Sequence, residues 1–363
     1  MQSIFEQLGE NNHEQVVFCN DPQTGLKAII AIHNTILGPA AGGTRMWQYS
    51  SEAEALKDVL RLSRGMTYKN AVAGLNIGGG KAVIIGDARK HKSEALFRAF
   101  GRFVDSLGGK YITAEDVGIN TQDIEQVAME TSYVSGKPKS LGGSGDPSPF
   151  TAYGVYIAMK AAAKKTYGSE SLAGKKIAVQ GVGHVGQHLV EHLIKENAQI
   201  IISDIYEDRI SAITKKYPSV QVVDTDKVYD IPMDIYAPCA LGATLNDNTL
   251  ERLKCQIVAG AANNQLADEH IHADKCKEKG ILYAPDFLIN AGGIINVYCE
   301  IAMPVYNAER AYEQTERIYQ YTLDLIETAE REQINTHQAA MQLAHKRMEA
   351  IGKLNANAFN RKK

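Results

Sequence analysis

The chain is short of the features that would assign it to several large classes of protein. Only five cysteines occur among 363 residues, Cys19, Cys239, Cys255, Cys276 and Cys299; they are odd in number, scattered and without a Cys-x-x-Cys pair. That usage argues against a disulfide framework and a zinc site and fits a reducing cytoplasm. No excess of one charge exists, since 39 Lys and Arg face 42 Asp and Glu, for a net charge of −3 and a pI near 6.4. No electrostatic footprint for nucleic acid or an anionic membrane is visible, and neither partner is expected. No apolar run approaches the roughly 18 residues that span a bilayer, and the first residues lack the basic and apolar regions of a secretory signal. There is no Asn-x-Ser/Thr sequon, no Gly-x-Ser-x-Gly elbow and no internal repeat.

What is present is a globular composition, 44% hydrophobic and 22% charged, long enough for two domains of ordinary size. The most unusual stretch runs from Met66 to Lys81, where Lys69 and Lys81 are separated by a largely apolar run and the glycines Gly78, Gly79 and Gly80. Making a lysine half neutral near pH 7 takes roughly 4 to 5 kcal/mol, supplied by desolvation or by a second nearby cation. Two lysines solvated at a surface turn are the plainer alternative. A phosphate-loop reading of Gly78 to Lys81 fails, because Ala82 replaces the required Ser/Thr and Leu75 stands at the first glycine.

Upstream, Val16–Cys19 and Leu26–Ile32 read as a hairpin across Asn20–Gly25, and Gly38–Arg45 as a glycine-rich loop. Its backbone N–H groups suit a carboxylate, although a plain tight loop is equally compatible. Ser51-Glu52-Ala53-Glu54 has capping-box spacing and opens a helix toward Arg64-Gly65; a second helix runs from Ser93 to Leu107. Tyr111-Ile112-Thr113 reads as a strand ending near Glu115-Asp116, a position suited to chemistry and also to a solvated loop acid. Around Lys139–Pro149 the composition turns to Ser, Gly and Pro, which marks a hinge before a helix from about Phe150 to Tyr167.

The clearest local pattern follows. The strand Gly174–Gln180 runs into Gly181-Val182-Gly183-His184-Val185-Gly186, then a helix to about Asn197, then the strand Gln199–Ser203 ending at Asp204-Ile205, with Asp204 18 residues beyond Gly186. Strand, glycines, helix, strand and terminal acid in this order specify a dinucleotide fold, with the pyrophosphate on the helix N-terminus. Asp204 would accept the ribose hydroxyls and repel a 2′-phosphate, which favours NAD. Apolar strands ending near Cys239-Ala240 and Asn263 would point those residues toward the cofactor, and His184, His188 and His192 read as a polar helix face rather than a metal stripe. Beyond about Ala308 the chain is charged and helical, and the basic tail at 361–363 reads as a solvated terminus.

The runs Gly38–Trp47, Met66–Lys69, Gly78–Lys81, Tyr111–Gly118, Pro149–Val155, Ala237–Ala243 and Gly260–Asn264 resemble, in residues and spacing, the leucine, valine and phenylalanine branch of the glutamate dehydrogenase-like amino-acid dehydrogenases. The resemblance implies an α/β protein of two domains: a substrate-binding and oligomerisation domain over 1–145, a doubly wound Rossmann-type NAD domain over 146–330, and a helical segment over 331–363 returning to the first. It implies reversible NAD-dependent oxidative deamination of leucine and related branched-chain amino acids to 2-oxo acids and ammonia, in a cytoplasmic homo-oligomer, often an octamer. By the same resemblance Lys69 would hold the substrate carboxylate with Gly42, Gly43 and Asn263. Lys81, its proton loosened by Lys69, would be the general base, and Asp116 would exchange protons with the amine. Met66, Ala41, Ala114, Ile294 and Val297 would line the substrate, while Thr151, Cys239, Ala240, Asn263, Asp204, Ile205 and the glycine loop would hold the cofactor. Ala41 and Tyr298-Cys299 depart from the branched-chain pattern, so phenylalanine or valine dehydrogenase is an alternative, and a non-catalytic NAD-binding protein a more distant one.

Overall fold

The computed structural model describes residues 3–360, with side chains through Leu354; the basic tail Arg361-Lys362-Lys363 lies outside the described residues. The chain divides into two compact units. The first holds residues up to Asp146, Val297–Ala308 and the stretch from Ala344; the second holds Pro147–Asn296 and Glu309–Leu343.

In the first unit, α1 (Ile4–Glu10) starts from a Ser3 capping box and precedes the hairpin of β1 (Gln15–Asp21) and β2 (Leu26–Asn34). Then follow β3 (Ala40–Trp47), α2 (Glu52–Val72), β4 (Gly78–Ile85), α3 (Glu94–Asp105), β5 (Tyr111–Glu115) and α4 (Thr121–Ala128). The sheet order is β1-β2-β4-β3-β5, antiparallel through β1, β2 and β4 and parallel through β4, β3 and β5. Side chains alternate between faces with a period of two. Ala28, Ile30, Ile32, Ala82 and Ile84 pack with Phe97, Phe100, Val104, Ile124 and Val127, so α3 and α4 close that face. Ile29, Ala31 and Val83 pack with Leu56, Val59 and Leu60 of α2 on the other. Lys81, two residues before Val83, therefore lies on the α2 face.

Three local expectations are corrected here. Gly38–Arg45 is not a loop, because the chain enters β3 at Ala40 and its glycines lie within the sheet. A Cβ on Gly42 would stand 1.9 Å from the Gly80 carbonyl oxygen and one on Gly43 2.2 Å from that of Glu115, so glycine here serves close strand approach. The helix opened by Ser51 runs past Gly65 to Val72 and places Lys69 in its last turn. Gly65 is exposed, and a mid-helix glycine costs about 1 kcal/mol, which the buried Leu56, Val59 and Leu60 outweigh at about 1.5–3 kcal/mol each. Gly78–Gly80 form the start of β4 rather than a turn. Ser51 caps α2 by accepting from the Glu54 N–H, but Glu54 turns back to Ser50 instead of completing a capping box.

In the second unit α5 (Ser148–Tyr167) precedes β6 (Lys176–Gln180), α6 (His184–Lys195), β7 (Gln199–Ser203), α7 (Glu207–Lys216), β8 (Gln221–Val222) and β9 (Ile235–Pro238). Then come α8 (Asp247–Arg252), β10 (Ile257–Val258), α9 (Ile271–Glu278), β11 (Leu282–Tyr283) and α10 (Asp286–Ile289); α11 (Gly292–Ala302) belongs to the first unit from Val297, α12 (Ala308–Glu316) from its second residue and α13 (Ile318–Glu332) belong to the second, and α14 (Thr336–Asn360) belongs to the first from Ala344. All six strands run parallel in the order β11-β10-β9-β6-β7-β8. This is the doubly wound arrangement with its switch point between β6 and β9, the position at which such sheets bind ligands beyond the strand ends. No helix among the described residues is long and apolar enough to cross a membrane.

Candidate active site

On the α2 face of the first sheet the Lys81 ammonium lies 2.8 Å from Asp116 Oδ2, with the Lys81 side chain 8% and the Asp116 side chain 24% exposed. Lys81 is in mid-strand on β4; Asp116 follows the end of β5. Arg45 of β3 brings its Nε to the same oxygen at 3.2 Å. Burial pushes the Asp116 carboxyl up, but the charges of Lys81 and then Arg45 more than offset it and hold the group at about 2. Asp116 is therefore a carboxylate while it is paired with Lys81 and Arg45. The Arg45 NH1 also donates to Asp58 Oδ2 at 3.0 Å, and Asp58 receives the Tyr49 hydroxyl at 2.7 Å and Arg61 at 3.2 Å.

The glycines of β3 bring further residues to this point. A Cβ on Gly42 would meet Met66 Cγ at 3.3 Å, and one on Gly43 would meet Asp116 Cβ at 3.0 Å. Gly43 pairs with Ala114 across β3 and β5, and Ala41 with Gly79 across β3 and β4. Ala41, Ala114 and Val297 are buried. Lys69 is half-buried. The Tyr111 hydroxyl donates to the Gly42 carbonyl at 2.6 Å, fixing the glycine pair from the far face. The structure adds the Asp116 carboxylate as a direct contact of Lys81.

In the second unit the glycine loop joins β6 to α6. Gly181 has φ +95°, and a Cβ there would strike Ala240 Cβ at 2.6 Å; one on Gly186 would lie 2.0 Å from the Gly181 carbonyl oxygen. Both positions require glycine. Gly183 is the N-cap of α6 with no side chain capping it, so the helix N-terminus, with exposed His184 and half-buried Val185, is open to an anion. Asp204 Oδ2 accepts from the Val182 N–H at 2.8 Å and Oδ1 from the Tyr206 N–H at 2.9 Å, which locks the acid at the end of β7 against the loop. Ile205 beside it is 76% exposed. The Cys239 N–H donates to the Gln180 carbonyl at 2.7 Å, which sets the β9 end beside the glycine loop. These residues fit a dinucleotide: a glycine cradle, an uncapped helix N-terminus and an oriented acid.

The other expected residues have defined places. The Asn263 side-chain oxygen accepts from Asn290 at 2.8 Å. Thr151 donates to the Pro147 carbonyl at 3.1 Å, and a Cβ on Gly293 would lie 2.6 Å from its hydroxyl, which explains the Gly292-Gly293 pair at the start of α11. Ile294 is half-buried on that helix, one turn from Val297. His192 stacks on Tyr156 with ring centroids 5.1 Å apart, and among the described residues no group of three or more His, Cys, Asp or Glu side chains is placed to hold a metal. Sequence reasoning missed Arg45 and Asp58, which assemble only when β3 and α2 pack; the one hint was an arginine two residues after a glycine pair.

Known proteins of matching sequence and shape carry the same organisation. Residues 13–133 match the dimerisation domain of Glu/Leu/Phe/Val dehydrogenases, and residues 142–206 and 202–354 match the glutamate/leucine/phenylalanine/valine dehydrogenase family itself. The leucine dehydrogenase of Thermoactinomyces intermedius is 54% identical over 96% of this chain and 94% of its own. The phenylalanine dehydrogenase of Lysinibacillus sphaericus is 48% identical over 99% of this chain and 93% of its own. The crystal structure of the L-tryptophan dehydrogenase from Nostoc punctiforme superposes with a TM-score of 0.84 at 44% identity, covering 96% of this chain and all of that one. A glycine cradle for a dinucleotide in one unit, a lysine–aspartate pair in the other and these relationships converge: the chain belongs to the glutamate/leucine/phenylalanine/valine dehydrogenase family of NAD(P)-dependent amino-acid dehydrogenases.

Proposed function

We propose that the chain catalyses reversible, NAD-dependent oxidative deamination of L-leucine and related branched-chain amino acids. The observation that carries this reading is the Lys81–Asp116 pair at 2.8 Å beside the Gly42-Gly43 strand. Lys69, in the last turn of α2, binds the substrate carboxylate together with the Gly42 and Gly43 backbone. Asp116 accepts a proton from the substrate ammonium, which leaves an amine lone pair to assist loss of hydride from Cα. When bound at Gly181, Val182, Gly183, His184, Val185, Gly186, Asp204 and Ile205, with Thr151, Cys239, Ala240 and Asn263, the dinucleotide supplies the hydride acceptor. Lys81, once separated from Asp116 and relieved of its proton to solvent, is a neutral amine and removes a proton from the water that attacks the iminium carbon. Asp116 then returns its proton to the departing nitrogen, and as ammonia leaves, the carbinol hydroxyl proton passes to Asp116 and on to solvent, giving the 2-oxo acid.

The carboxylate of Asp204 disfavours a 2′-phosphate, which supports NAD over NADP. Small Ala41 and Ala114 with buried Val297 leave an apolar lining suited to an aliphatic side chain. The five free cysteines support a cytoplasmic location, and the match of residues 13–133 to a dimerisation domain supports assembly, with a homo-octamer as the proposed form. A panel of Leu, Val, Ile and Phe with NAD at alkaline pH tests the substrate: leucine gives the highest kcat/KM. A higher value for Phe makes it a phenylalanine dehydrogenase, and no NADH from any of them ends the reading.

A further inference from the structure

Arg45 has no task in the reaction as written, yet it is one of the two cations on its central carboxylate. Its Nε and the Lys81 Nζ both address Asp116 Oδ2, at 3.2 and 2.8 Å. Its NH1 is fixed by Asp58 at 3.0 Å, and Asp58 is itself held by Tyr49 and Arg61. The result is a row of alternating charge, Lys81, Asp116, Arg45, Asp58, spanning β4, the β5 end, β3 and α2. The remaining ionisable groups of these elements are Tyr111 and Glu115 on β5 and, on α2, Glu52, Glu54, Lys57, Arg61, Arg64, Tyr68 and Lys69.

The row answers a difficulty built into the reaction. A base must spend part of the cycle as a neutral amine, and at that moment Lys81 no longer supplies a charge to Asp116. A buried carboxylate left without a cation would take up the very proton that Lys81 must pass on. A guanidinium remains charged in proteins, so Arg45 cannot lose its proton in step with Lys81. Resting on the amino-acid dehydrogenase reading above, we propose that Arg45, anchored by Asp58, is a positioning residue that holds Asp116 in place and keeps it free of the Lys81 proton, so that it stays a carboxylate until it takes the proton of the substrate ammonium. Arg45 touches no reacting atom; it acts through Asp116.

The test compares Arg45→Gln, Arg45→Lys and Asp58→Asn with the wild-type enzyme in kcat, KM for leucine, the pH profile of kcat/KM and thermal midpoint. With Arg45→Gln, Lys81 becomes the only cation on Asp116 and is harder to free. Its kcat falls at least 10-fold with KM within 3-fold, and the acid limb of the profile moves up by half a pH unit or more. Arg45→Lys recovers part of both. Asp58→Asn releases the guanidinium to Asp116 alone, so its acid limb stays or moves down. A merely structural role gives Arg45→Gln and Asp58→Asn the same direction of change, in step with their thermal midpoints, and overturns the proposal. So does a wild-type profile and kcat in Arg45→Gln. If Arg45→Gln does not fold, the direction of the Asp58→Asn shift decides alone, an upward shift being the refuting result. Wild-type protein inactive on every amino acid removes the functional reading and this role with it, whereas an active wild type with an unmoved variant removes only the role of Arg45.

Discussion

Replacing Gly79 by alanine probes how tightly α2 is seated on the strand that carries Lys81. An added Cβ would stand 2.0 Å from Thr67 Oγ1, 2.2 Å from Thr67 N and 2.5 Å from Thr67 Cα. Two of these are helix backbone atoms, so rotating a side chain does not relieve the contact. The nearest lies about 1.4 Å short of the 3.4 Å at which ordinary contact begins, so α2 must lift by about that amount or β4 must buckle. Overpacking of this kind costs about 1–3 kcal/mol. Lys69 is two residues beyond Thr67, and the displacement passes to it directly. A misplacement near 1 Å costs about 100-fold in rate, and here it falls on carboxylate binding as well as on turnover. Differential scanning calorimetry and leucine kinetics read the two effects: the melting midpoint falls by several degrees, KM for leucine rises about 10-fold or more, and kcat/KM falls by more than KM alone accounts for. Gly65→Ala on the same helix, with nothing within 4 Å of its added carbon, is the control and leaves kinetics unchanged. A Gly79→Ala enzyme with wild-type midpoint and KM would refute the claim that the glycine sets the distance between helix and strand.

Removing the amine in Lys81→Ala lowers kcat at least 100-fold with much smaller change in NADH binding; near-wild-type turnover would disprove its role as base. Asp204→Ser deletes the acid held by the Val182 and Tyr206 N–H groups, so NAD binding by calorimetry weakens about 10-fold and the preference over NADP narrows; unchanged affinities count against the assignment. Stability is acid-sensitive through His33, whose ring packs 4.8 Å from that of His13 and shares a 2.7 Å hydrogen bond with Thr67. Burial, then the charge of His13, lowers the His33 pKa from 6.5 to about 4, and His13 is lowered as well. Protonation therefore favours the unfolded chain, and stability is lost as pH falls from about 6.5 to about 4, by about 3 kcal/mol for His33 over the whole window. Urea midpoints at pH 7 and pH 4.5 measure this, and His33→Asn flattens the slope; equal slopes exclude His33 as the cause.

The parts of the molecule that were legible in sequence are those whose information is local. The strand, glycines, helix, strand and acid from Lys176 to Asp204 lie consecutively, and each step is enforced by its neighbours, as in the bond from Val182 N–H to Asp204. Ser93 as a helix cap and the β1–β2 hairpin are local in the same way. The Gly38–Arg45 run misled because glycine permits loops and close strand contact alike, and only the positions of the Gly80 and Glu115 carbonyls decide between them. The partner of Lys81 was hidden for a different reason. Asp116, Arg45 and Asp58 sit on different elements, and a pairing across three strands and a helix leaves no spacing to read.

Placing Lys81 within a strand also limits how this protein can change over generations. Lys81 stands in register with Ala31 of β2, and side-chain direction along β4 reverses at every residue. One residue inserted or deleted between Gly78 and Lys81 would turn the ammonium to the opposite face, among Ile30, Phe97 and Phe100, where a bare cation would replace apolar contact. Substitutions along β4 can be sampled singly, but its length cannot. Lineages and mutant libraries that vary in length should do so at surface turns such as Pro22–Gly25, never within β4.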